Sequence, residues 1–165
     1  MRRKEREMGS DFGFYVIDKS QYAVIATVNE DLTPYCIPVS AVRDKNSIYF
    51  HCAQKGHKTD NLISRPNACM TFVGDVTPVP KEFTTEYESA VITGRAHEVI
   101  TDEEKIHALR LICLKYAADG MDKFDSEISR SLFRTAVWKI DIETITAKRK
   151  KYDSSGKEMK YGRME

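Results

Sequence analysis

Ile48-Tyr-Phe-His-Cys-Ala-Gln-Lys-Gly-His-Lys-Thr-Asp-Asn-Leu62 changes backbone habit twice within one short stretch. Its β-branched and aromatic opening predicts a strand over 47–53. Gly56 marks a turn, and the following residues to Ser64 form a short helix candidate that Arg65-Pro66 closes. Where a strand gives way to a helix, unpaired backbone N–H groups and the positive end of the helix dipole converge. Lys55, His57 and Lys58 add side-chain donors to the same corner. An anion such as a phosphate is the natural ligand, each charge-assisted contact being worth about 1.5–3 kcal/mol. A plain solvated turn is the competing reading.

Outward from this corner the chain alternates short apolar runs with turn chemistry. Upstream, 22–28 and 35–42 are strands joined through Asn29-Glu-Asp-Leu-Thr-Pro34 as a hairpin, and Arg43-Asp-Lys-Asn46 leads into 47–53. Pro38 cannot donate to a ladder, so it belongs at a bulge, an edge or a barrel rim. Downstream, 68–73 is a fourth strand, and Gly74 to Tyr87, with Pro78 and Pro80, reads as an irregular loop. Residues 89–100 make a fifth strand bent near Gly94. Thr101-Asp-Glu-Glu104 is a capping box, and behind it Ile106, Leu109, Ile112, Cys113 and Tyr116 share one helical face. A shorter helix follows over 125–133, and 136–146 alternates as the sixth strand. Helices between the early strands are missing, which argues against a parallel doubly wound sheet. The chain is therefore mainly β: a six-stranded antiparallel sheet closed into a barrel so that its edges disappear.

The 165 residues fit one domain that needs no disulfide or metal. A formal net charge of +1 gives no global pull toward nucleic acid or membrane. The basic runs at Arg2–Arg6 and Lys148–Lys151 are diluted by neighbouring acids and read as solvated termini. No run approaches the ~20 apolar residues of a membrane span, and no signal peptide opens the chain. The four cysteines lack C-x-x-C spacing and the four histidines lack H-E-x-x-H spacing, so a metal is not expected. A reduced, cytoplasmic protein is the expectation.

The string Tyr49-Phe-His-Cys-Ala-x-x-Gly-His-Lys-x-x-Asn61 resembles the signature of the FMN-binding split-barrel proteins related to pyridoxamine 5′-phosphate oxidase, and within them the nitroimidazole-resistance branch. Further matching residues are Pro34-Tyr35, Pro38-Val39, Phe83 to Ser89, Gly94-Arg-Ala96 and Lys115-Tyr116, so the likeness runs from about 14 to 149. It implies a domain over 14–149, which leaves a basic arm (1–13) and a polar tail (150–165) whose lack of periodicity reads as disorder. It also implies a six-stranded split barrel, a homodimer, and FMN between the two subunits. On that resemblance Lys58, His57 and Asn61 hold the phosphate side, while His51, Cys52 and Ala53 follow the ribityl chain and ring. Pro38 and Val39 flank the flavin, and Glu88, Ser89 and Trp138 reach it from the partner subunit. Two departures, Leu32-Thr33 before Pro34 and Ala147 before Lys148 where relatives carry glycine, concern loop shape.

His51 is the catalytic candidate, able to donate to a substrate or relay a proton, with packing as the alternative. Cys52 and His51 alternate across a strand and do not form a nucleophile pair. Trp138 is either core or cofactor contact. The reading that follows is an FMN-dependent oxidoreductase acting on a small molecule, a nitroaromatic being one candidate, with a reduced nicotinamide as electron source. Its rivals are a flavin binder without turnover and a split barrel holding heme or a deazaflavin.

Overall fold

The computed structural model describes residues 2–162. Strands β1 to β8 span Glu7–Met8, Ala23–Val28, Pro34–Val39, Ala41–Asp44, Ser47–Ala53, Asn67–Val79, Thr84–Glu98 and Thr135–Lys150. Helices α1 to α4 span Ser10–Lys19, His57–Ser64, Asp102–Tyr116 and Phe124–Ser131. Every strand pairing is antiparallel, in the order β3-β2-β6-β7-β8-β5-β4, with β1 added to β8. The two ends of that path, β3 and β4, are joined by the single residue Ser40, so the chain itself closes the sheet into a barrel.

This closure corrects the expected strand count. The run 35–42 is two strands, because the chain leaves β2 at Val39 and joins β5 from Ala41. With the short β1, the described residues form eight strands instead of six. Pro38 sits opposite Val24 on β3, which pairs with β2 alone, so its missing N–H costs no ladder bond. The expected loop 74–87 is also corrected. Val76, Thr77, Val79, Thr84 and Thr85 carry β6 and β7 outward as a long hairpin past a register shift between Val73 and Val76. The hairpin closes beyond Val79 and Thr84 through a 3-10 turn over Pro80–Glu82 and a left-handed Phe83. The bend at Gly94 is present, as a register shift between Thr93 and Gly94, and a side chain there would fall on the Asp141 carbonyl.

Helix α1 was not read from the sequence. It lays Val16 and Ile17 into the barrel cluster, which also holds Ile25, Phe50, Met70, Phe72, Ile92, Trp138 and Ile140. A second apolar cluster lies outside the barrel, where Tyr49 and Val137 meet Leu109 and Ile112 of α3 and Phe124 of α4. Only the N-cap half of the capping box forms: Glu104 N–H donates to Thr101 Oγ1 at 3.3 Å, while the Glu104 carboxylate accepts from Tyr49 Oη at 2.9 Å. The tail beyond Lys150 has local structure despite its lack of periodicity. Asp153 accepts from Ser155 and Lys157, Tyr152 bridges to Glu158, and Arg6 grips Glu158 through two contacts at 2.7 and 3.0 Å.

Candidate functional site

Strand β5 ends at Ala53, and the chain turns through Gly56 into α2. Gly56 has φ 155°, a conformation that a side chain resists. No side chain caps α2, and the first amide to find a backbone acceptor is that of Asp60, bonded to Gly56 O at 3.0 Å. The N–H groups of His57, Lys58 and Thr59 are therefore left open at the helix start, as the geometry of a helix terminus dictates. The Lys58 ammonium reaches over the fully buried Phe50 ring, 4.8 Å from its centroid. Cys52, on the same face of β5 as Phe50, lies against Lys58; burial pushes its thiol up while Lys58 opposes the rise.

His57 and Asn61 have structural partners. His57 Nε2 is 2.7 Å from Asn29 Oδ1, and the ring stacks on Tyr35 at 4.1 Å between centroids. The buried Asn61 donates to the same Asn29 oxygen at 2.7 Å and to Thr27 Oγ1 at 3.1 Å. An acceptor that takes both bonds requires His57 to carry its proton on Nε2. The β2–β3 hairpin is thus clasped to α2. Asn29 and Tyr35 are the residues that sequence reasoning missed, since each looks like ordinary turn or strand chemistry. An open cleft of about 620 Å³ beside this clasp is lined by Glu30, Asp31 and Asp60 with His57 and Asn61. Its carboxylates repel an anion, which leaves the Lys58 side as the electrostatically open approach to the helix start.

Alternation along β5 sends His51 to the opposite face from Phe50 and Cys52, toward α3 and α4. Burial of part of the ring, and secondly the charge of Lys58, hold its imidazole below the usual value, which favours the neutral form. The remaining predicted residues do not gather here within one chain. Val39 is buried in the barrel cluster and Pro38 is exposed beside it. Trp138 is 3% exposed inside the barrel, directly opposite Phe50, and its indole N–H has no partner among the described residues. Glu88 is buried and held by Lys19 at 3.0 Å, which also grips Asp75 at 2.7 Å. Ala53 faces Thr135 across the sheet whereas Glu88 and Ser89 face Arg149 and Lys148, so they lie at opposite ends of β8.

All four cysteines are free, and among the described residues no three His, Cys, Asp or Glu side chains gather as a metal site. Among the same residues no helix is long and apolar enough to cross a membrane.

A family model described as pyridoxamine 5′-phosphate oxidase matches residues 14–149. Among solved structures, a protein of Bacteroides thetaiotaomicron assigned provisionally to 5-nitroimidazole antibiotic resistance superposes with a TM-score of 0.73 at 21% identity, covering 87% of this chain and 86% of its own. A conserved hypothetical protein of Mycobacterium tuberculosis gives 0.73 at 14%, covering 89% and 88%. An FAD- and heme-binding protein of Mycobacterium smegmatis gives 0.71 at 16%, covering 88% and 73%. These likenesses establish a shared fold. No curated protein matches the chain by sequence.

Proposed function

Since the chain belongs to the pyridoxamine 5′-phosphate oxidase family, we propose that it is an FMN-dependent oxidoreductase acting on a small molecule. The observation that carries this reading is the corner after β5, where three amides without a backbone acceptor stand beside a Lys58 ammonium that pairs with no carboxylate among the described residues. That donor set fits a doubly charged phosphate ester. A flavin bound there would supply the redox chemistry between a reduced nicotinamide and an acceptor such as a nitroaromatic.

The chain's own groups have three tasks. Lys58 and the helix-start amides hold the phosphate. His57 and Asn61 act through Asn29 to fix the turn that presents those amides. The neutral His51 imidazole can give or take a proton beside the reacting molecule. We further propose a homodimer with the cofactor between the subunits. Glu88 and Ser89 stand at the far end of β8 from the phosphate corner, so a second copy would have to bring them to the cofactor. Four unpaired cysteines suit a cytoplasmic setting.

The absorption spectrum of the purified chain tests the ligand: flavin bands are expected, and a Soret band would assign heme instead. The mass of the released cofactor separates FMN from FAD and from a deazaflavin. NADH or NADPH oxidation by the holoprotein with a nitroaromatic acceptor then tests turnover. Bound flavin without any such oxidation would leave a binding protein. Light scattering reads the dimer.

A further inference from the structure

On the outer face of β5 a cavity of about 300 Å³ opens between the sheet and the α3–α4 pair. His51 and Thr135 form its floor, and Ile112, Cys113, Phe124 and Ile128 form much of its wall. Glu127 is the one formally charged side chain among its lining residues, and no lysine or arginine lines it. The Glu127 carboxylate is already gripped by Arg130 at 2.5 and 2.6 Å. Arg110 stacks on the Phe124 ring at 4.1 Å but pairs with Asp125 and does not line the space. The volume lies at the lower end of ordinary small-molecule sites, where mostly apolar walls and one or two polar groups set orientation.

We propose that this cavity binds an uncharged, ring-sized apolar molecule, oriented by a hydrogen bond to the His51 imidazole, and that it excludes phosphates and carboxylates. An anion entering here would lose its hydration with no lining cation to replace it, since the nearby Arg130 is already paired with Glu127. A neutral imidazole offers one donor and one acceptor, which suits a ring N–H, a carbonyl or a hydroxyl. The anion-binding corner lies on the other side of β5, since Cys52 and Phe50 point toward Lys58 while His51 points away. The strand thus separates a polar subsite for a phosphate from an apolar one. The cavity's use as the electron-acceptor site rests on the flavin reading above, whereas its ability to bind does not.

The test uses the full chain with two probes that share one ring, indole and its anionic relative indole-3-acetate. Isothermal titration is expected to show indole binding at least tenfold more tightly than indole-3-acetate, with a shift in the His51 ring resonances on adding indole. Ala117→Phe, which places a ring in the cavity mouth, should weaken indole binding tenfold or more. If that variant fails to fold, alkylation of Cys113 by N-ethylmaleimide in the unaltered chain provides a second readout, and saturating indole should slow it at least threefold. Equal affinity for the two probes, unmoved His51 resonances, or an unchanged Cys113 rate would overturn the proposal. Flavin content is read from the absorbance of the same sample. A flavin-free sample that binds indole keeps the site while removing the flavin reading. Flavin displaced by indole would show that the flavin ring itself fills the cavity and would also overturn the proposal.

Discussion

The Lys58 ammonium rests 4.8 Å from the centre of the Phe50 ring, so the cation proposed to bind phosphate is stored against the barrel's own core. A cation–π contact of this kind is worth about 0.5–2 kcal/mol. A charge-assisted bond to phosphate is worth about 1.5–3 kcal/mol, enough to draw the side chain outward. Lys58→Ala should therefore weaken FMN binding by tenfold or more while leaving the fold in place. Fluorescence titration with FMN measures this, and wild-type affinity in the variant would remove Lys58 from the phosphate corner.

Gly56 sets the turn that aims the open amides, at φ 155°. A methyl group there would meet nothing within 4 Å, so any penalty comes from the backbone alone. Gly56→Ala should cost on the order of 1–3 kcal/mol in urea unfolding and weaken FMN binding together with it. Gly120→Ala is the control: it too has open space around its Cβ, and no positive φ. A Gly56→Ala chain as stable as the control would show that the turn tolerates a side chain.

Much of this arrangement was legible in the sequence, for reasons that particular residues make plain. Strand β5 and helix α2 were readable because β-branched and aromatic residues give way to Gly56 within a few positions. The capping box at Thr101 announced α3. The break at Ser40 was hidden because the apolar run 35–42 continues across it, and only closure of the barrel reveals that its halves pair with different neighbours. The long β6–β7 hairpin was hidden because two prolines outweigh β-branched residues in a local reading. At the site, the cationic corner is a local pattern and was visible. The clasp of His57 and Asn61 on Asn29 spans about thirty residues and depends on tertiary structure. The same holds for the cavity above His51, whose lining comes from β5, α3, the 3-10 turn Ala118–Lys123, α4 and β8.

His51 opens onto its cavity, yet the surrounding walls and the Lys58 charge hold its imidazole below the ordinary value of 6.5. The folded chain then binds fewer protons than the unfolded chain as the pH falls through that value. Stability from a neutral His51 is complete above it and declines below. The difference in unfolding midpoint between wild type and His51→Gln should be constant near pH 8 and shrink, or reverse in favour of the variant, toward pH 5. If His51→Gln tracks the wild type in parallel across that range, the imidazole is not depressed. Turnover, if the oxidoreductase reading holds, should fall in the same variant with flavin content unchanged.

The tail is fastened by the double contact of Arg6 with Glu158, at 2.7 and 3.0 Å, both side chains being largely covered. That guanidinium holds the Glu158 carboxyl down at about 2, against an ordinary 4.5. A depressed carboxylate contributes stability that is fully present above its unfolded value and is lost as the pH falls from there toward 2. Glu158→Gln removes the charge and keeps the shape, so it should cost about 1–2 kcal/mol at neutral pH. The tail also packs on the arm through Tyr161 and Gly162 amides that donate to Glu5 O. Loss of the clasp should therefore expose 151–162 to trypsin at Lys151, Lys157 and Lys160. Limited proteolysis of the variant at pH 7 reads this directly. Equal cleavage rates in the two proteins would mean that the turn around Asp153 holds the tail without Arg6. The gap in stability between the two proteins should narrow as the pH falls below 4.5 and close only near pH 2, because at pH 3 a carboxyl held down at about 2 is still largely ionised in the folded wild type.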